Sequence, residues 1–294
     1  MLVSLNLVMC LFHTALVVVT LVLGNLALSV PVYNLSYDLD VTTNNSTEAT
    51  GDGGDESRGW KLIPKGGAVV MNLKFTWMTA AFFAISALFH FGNALVWRKW
   101  YLEGISKARC PSRWIEYTFS ASLMSVLIAY GAGTNLLLVL VAIFFLTAVT
   151  MFFGHLTEVI ARPEEATNRS TWSHPWYYRL QAHFMGYVPQ ITAWFLIMYS
   201  FHKIAAEAKT TITTPDGETK TYQMPKFVYG IVWGEVFVFW SFGIIQLVVT
   251  LAPPRYYPYG ELAYQIMSLA SKGLLGLILI VNVLMLSEFE DAFD

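Results

Sequence analysis

The chain has 294 residues, 55% of them hydrophobic and only 13% charged, with a formal net charge of −2. Soluble domains carry roughly 25% charged residues, so this is the composition of a membrane protein, and the near-neutral balance excludes a basic nucleic-acid binder. Its two cysteines, Cys10 in an apolar run and Cys110 in a basic loop, make neither a disulfide framework nor a zinc pattern.

Windows of about 20 residues pick out seven apolar segments, near 2–28, 73–97, 113–133, 135–159, 180–202, 227–251 and 261–287. The expected fold is an all-α membrane protein, a seven-helix bundle in one domain over 1–294, with its termini on opposite sides of the bilayer. No internal repeat is evident, which weighs against an inverted-repeat transporter.

Segment one has no Lys or Arg ahead of an apolar core longer than a secretory signal needs, so it reads as a spanning helix with His13 in its middle. The loop at 29–72 has a Gly-Asp-Gly-Gly centre, and its flanks, Val32 to Leu39 and Trp60 to Leu73, are expected to pair as strands. Asn34, Asn44, Asn45 and Asn168 sit in acceptor triplets for glycosylation, a weak signal. Arg98, Lys99, Lys107, Arg109 and Arg113 crowd the short loop after segment two, which the positive-inside rule places in the cytoplasm. The N-terminus is then cytoplasmic, and the long loop and the acidic tail at 288–294 face outward. Thr-rich runs around Pro215-Asp216-Gly217 read as a small external hairpin.

Lys272 stands near the midpoint of the seventh segment, roughly three turns or ~16 Å from either end. That is too deep for easy snorkelling to an interface, and an ionised amine there costs several kcal/mol. The other use of a desolvated lysine is covalent, as a Schiff base with an aldehyde. Glu116, early in segment three, is either an interfacial carboxylate paired with Arg113 or a counterion to that amine. Helical side chains lean toward the helix N-terminus, which brings the Lys272 amine ~5 Å closer to Glu116.

Ser86 and His90 lie one turn apart on segment two, at a depth similar to that of His13. These histidines are either helix–helix hydrogen bonds or proton acceptors. Ser268 shares a face with Lys272 and can bond its nitrogen or the counterion. Glu235, in the outer half of segment six, shares a helical stripe with Phe239, Phe242 and Gln246. It is either a proton-path or gating carboxylate or a hydrogen-bonded structural acid. Glu158 and Glu261 are expected to be solvated near helix ends. Trp194, Phe239, Trp240 and Phe242, in the middle of segments five and six, suit either bundle packing or the walls of a flat ligand site.

Several stretches resemble the heliorhodopsins, a microbial-type rhodopsin family. They are Ser86-Ala87-Leu88-Phe89-His90, Arg113-Trp114-Ile115-Glu116-Tyr117, Ser120-Ala121-Ser122-Leu123-Met124, Met185-Gly186-Tyr187-Val188-Pro189 and Ser268-Leu269-Ala270-Ser271-Lys272. The similarity spans essentially the whole chain. It implies all-trans-retinal on Lys272 as a protonated Schiff base, Glu116 as counterion, and a cytoplasmic-side proton-accepting cavity around His13, Ser86 and His90. It also implies retinal-pocket positions at Tyr117, Met124, Phe239 and Gln246. The family's inverted, N-terminus-inside topology, its dimers through the first external loop and its slow photocycles imply a homodimeric light sensor in the lipid bilayer, signalling to a partner, and not an enzyme. Glu235 matches no family-wide motif, and an acid there opens the alternative of a light-gated proton conductance.

Overall fold

A computed structural model of the chain describes residues 1–43, 58–161, 172, 174–207, 210–213, 219–222 and 224–284. Its helices are α1 (Leu2–Leu23), α2 (Phe75–Phe91), α3 (Arg98–Ser106), α4 (Pro111–Gly131), α5 (Leu137–Ala161), α6 (Trp176–Arg179), α7 (Gln181–Glu207), α8 (Lys226–Leu251) and α9 (Tyr257–Leu279). Two hairpins accompany them, β1 (Val30–Thr43) with β2 (Arg58–Leu73) and β3 (Thr210–Thr213) with β4 (Thr219–Tyr222), each antiparallel. The acidic tail, the turn at 214–218 and the triplets at Asn44, Asn45 and Asn168 lie outside the described residues.

The long helices form a ring. α1 packs on α2, α2 on α4, α4 on α5, α5 on α7, α7 on α8 and α8 on α9, which closes against α1. Five of these seven, α1, α2, α5, α8 and α9, are long and apolar enough to cross a membrane by themselves. They present large bare side chains outward, such as Leu11 at 72% and Phe237 at 75% exposure, a surface suited to lipid and not to water. The chain is a largely helical integral membrane protein. α4 is less apolar for a local reason: its buried positions include Arg113, Glu116, Thr118 and four serines, Ser112, Ser120, Ser122 and Ser125.

Several boundaries differ from the sequence expectation. α1 stops at Leu23, and the Asn25 amide then donates to the Leu284 carbonyl at 2.6 Å while its carbonyl accepts from Thr76 at 2.6 Å, tying the chain to the π-helical turn that follows α9 (Ile280–Leu284) and to the start of α2. α9 begins at Tyr257, after a 3-10 turn at Pro254–Tyr256, because prolines early in a helix have the right φ and no amide to leave unpaired. Glu261 therefore sits inside the helix. α4 ends where Gly133 takes a left-handed φ of +96° and returns its amide to Tyr130. The base of the first hairpin is anchored there, through Tyr33 to the Asn135 carbonyl and the Tyr130 hydroxyl to the Pro31 carbonyl, both 2.9 Å.

Candidate functional site

One buried polar group in the ring joins three helices. From α9, Lys272 Nζ donates to Glu116 Oε1 on α4 at 2.6 Å and to Ser268 Oγ at 2.8 Å, one turn away on its own helix. From α2, Ser86 Oγ donates to the same carboxylate oxygen at 2.7 Å. The Lys272 and Glu116 side chains are 3% and 4% exposed, so neither ion keeps a water shell and their attraction is little screened. The amine also lies 5.0 Å from the centre of the Tyr117 ring, on whose face a cation is favoured.

His13 and His90 form a second group. Their rings stack 5.6 Å apart at 9°. His90 Nδ1 is 2.7 Å from Asn6 Oδ1, and Asn6 Nδ2 donates to the Leu2 carbonyl at 2.9 Å. Both ring nitrogens of His13 are buried without a hydrogen-bond partner among the described residues. Asn6 is a site residue that the sequence reading lacks, although a lone amide in an apolar run, seven residues before His13 on the same buried face of α1, is itself a signal.

Glu235 is fully buried on α8, and Ser271 Oγ, next to Lys272 in the chain, donates to its Oε2 at 2.7 Å. Its Oε1 has no partner among the described residues. The acid thus contacts the helix that carries the amine, through the residue next to it.

A cavity opens beside Lys272, between α4, α5, α7, α8 and α9, holding about 830 Å³ counting its open mouth. Tyr117, Met124, Phe239 and Gln246 line it, as do Trp240 and Phe242. Trp194 stands behind Phe239, edge to face at 5.4 Å. Gln246 Oε1 accepts from the Tyr264 hydroxyl, whose backbone carbonyl takes the Tyr117 hydroxyl at 3.2 Å. The wall also needs Gly154: a Cβ there would overlap the Trp114 ring. A mostly apolar, aromatic slot with one amine at its end fits a flat polyene aldehyde.

Two sequence expectations are corrected. Glu158 and Glu261 are not solvated: both are buried, at 3% and 2% exposure, and both pair with the buried Arg113 guanidinium. Arg113 is consequently neither a loop cation nor the partner of Glu116. The early start of α9 and the approach of the α5 end bring the two carboxylates to one side chain whose forked donors suit them. Tyr257 donates to Glu158 at 2.9 Å, the Cys110 amide does so at 2.9 Å, and the Arg113 guanidinium stacks 3.8 Å from the Tyr264 ring centre. Cys110 is likewise buried against this cluster, where burial and then the Glu261 carboxylate push its thiol up.

Comparison with known proteins follows the same lines. The family model described as Heliorhodopsin matches residues 2–284. No curated protein matches. Among solved structures, the transmembrane domain of the Salpingoeca rosetta rhodopsin phosphodiesterase is similar with a TM-score of 0.57, at 10% identity, covering 96% of this chain and 83% of that one. At that identity the likeness concerns the fold alone.

Proposed function

The chain belongs to the heliorhodopsin family, and from that premise we propose that it is a light-sensing receptor that carries all-trans-retinal on Lys272 and moves no net ion. The observation that carries this reading is the 2.6 Å pairing of a mid-helix amine with a buried carboxylate at the end of an apolar slot. Retinal, when bound, supplies a covalent link to the lysine amine and a change of shape driven by light.

The chain's own residues do the rest. Glu116 balances the positive charge on the Lys272 nitrogen, and the Ser86 and Ser268 hydroxyls hold the acid and the amine in register. Tyr117, Met124, Phe239 and Gln246 shape the slot and keep water from it. When the charge separation beside Glu116 changes, the proton on the Lys272 nitrogen moves to the His13–His90 pair and later returns. A shift of charge of this kind signals by biasing a two-state helix arrangement.

All seven ring helices cross the bilayer in this reading, with the Arg113 end and the N-terminus cytoplasmic and the β1–β2 hairpin outside. The hairpin's exposed Leu35, Tyr37, Leu62, Val69 and Met71 suit the contact of a homodimer. Adding all-trans-retinal to the purified chain is expected to produce a visible absorption band that Lys272→Ala lacks. No band, or a band that survives Lys272→Ala, overturns the reading.

A second reading is favoured by one feature. Glu235 accepts from Ser271, the chain neighbour of Lys272, so a second buried acid contacts the helix that carries the amine. That arrangement suits a light-gated proton conductance.

A further inference from the structure

The polar groups between Lys272 and the Arg113 end of the ring form a nearly continuous series, and one member of it cannot carry a proton. The series runs from Glu116 and the stacked histidines to Asn6, whose amide is near enough to Tyr101 to act on its hydroxyl. The Tyr101 hydroxyl lies 3.4 Å from Glu261 Oε1, which belongs to the Arg113 cluster, and accepts from Gln265 Nε2 at 3.2 Å. Asn6 is fully buried. Its amide oxygen is the hydrogen-bond partner of His90 Nδ1 on the way toward that end.

We propose that Asn6 is a proton barrier that fixes the tautomer of His90 and closes the cytoplasmic exit. The inference rests on the receptor reading above and names what makes proton release there reversible. Asn6 Nδ2 donates to the Leu2 carbonyl, so the amide oxygen is the atom facing His90. An amide oxygen only accepts, so neutral His90 carries its proton on Nδ1 and presents Nε2 as the base. When Nε2 takes a proton, the imidazolium keeps its Nδ1–H bond to Asn6. To pass that Nδ1 proton onward, Asn6 would have to become an imidic acid, a tautomer high in energy. The proton therefore stays on the histidine pair and goes back the way it came, although the Tyr101–Glu261 path lies one residue away.

A carboxylate at position 6 removes the barrier. In Asn6→Asp, Nε2 gains a proton as Nδ1 gives one to the acid, leaving the imidazole neutral. The acid then loses its proton through the Tyr101 hydroxyl toward Glu261 and the cytoplasm. A serine hydroxyl accepts and donates at once, so Asn6→Ser opens the same route, whereas Asn6→Leu keeps it shut.

Two measurements test this. Nitrogen-15 spectra of histidine in the retinal-free chain are expected to show His90 protonated on Nδ1 and a tautomer mixture in Asn6→Leu. An Nε2-protonated His90 in the unsubstituted chain overturns the inference without touching the retinal reading. In the retinal-bound protein, a pH-indicator dye after a flash is expected to show proton release to bulk water for Asn6→Asp and Asn6→Ser, and none for the unsubstituted chain or Asn6→Leu. Silence in both Asp and Ser variants that keep the visible band, or equal release from the unsubstituted chain, overturns the barrier. Absence of a band in the unsubstituted chain speaks against the retinal reading instead, while the nitrogen-15 result still judges Asn6.

Discussion

Lys272 Nζ and Glu116 Oε1 lie 2.6 Å apart across 156 positions of sequence, and Ser86 donates to that same oxygen from a third helix. Three elements thus converge on one buried carboxylate oxygen. Removing either charge leaves the other uncompensated, and breaking a buried pair in this way typically costs about 3–5 kcal/mol.

Glu116→Gln keeps the shape of the acid and removes its charge. In the retinal-bound protein the visible band is expected to shift strongly or to bleach near neutral pH, because the cation beside it loses its balance. Absorption spectroscopy decides the matter, and an unchanged spectrum rejects Glu116 as the counterion.

Glu235→Gln separates the two functional readings. Under voltage clamp with illumination, the receptor reading expects no current at any voltage, with or without the substitution. A passive current whose reversal follows the proton gradient, and which vanishes in Glu235→Gln, establishes the conductance and overturns the receptor reading.

Arg113 holds two buried carboxylates from two other helices, so its loss acts on the fold more than on the spectrum. Arg113→Leu is expected to destabilise the protein by about 3–5 kcal/mol, the usual result of stranding buried charge. Arg113→Lys recovers only part of this, since a single ammonium lacks the forked geometry that spans both acids. Thermal unfolding in detergent reads both, and midpoints equal to that of the unsubstituted chain dismiss the cluster as a structural clasp.

Burial, and after it the neighbouring Glu261 carboxylate, push the Cys110 thiol up. Protonated thiols are poor nucleophiles. In a Cys10→Ser background, a maleimide at neutral pH is expected to label the denatured chain and spare the folded one. Prompt labelling of the folded protein shows instead that the start of α4 opens to solvent.

Much of the candidate site was legible in the chain because the bilayer makes polarity expensive. Lys272, Glu116, His13, His90 and Glu235 stood out as ionisable groups in apolar runs, and Ser86 and Ser268 followed at one-turn spacing from a residue already marked. The depth argument put Lys272 and Glu116 within reach of each other. Arg113, Glu158 and Glu261 mislead for the same reason that the others are legible. Nearness to the end of an apolar window reads as nearness to water, but the helices extend past those windows far enough to enclose all three.

The sequence by itself determined the apolar segments, the mid-helix position of the lysine and the family, since hydropathy, spacing and motif are properties of one dimension. Only the tertiary structure decided which acid meets which cation. The rotation of each helix about its axis and the height at which it starts are set by packing against neighbours distant in the chain. Those two quantities turned Arg113 away from Glu116 toward Glu158 and Glu261, left Glu116 to Lys272, and set the amide of Asn6 against His90.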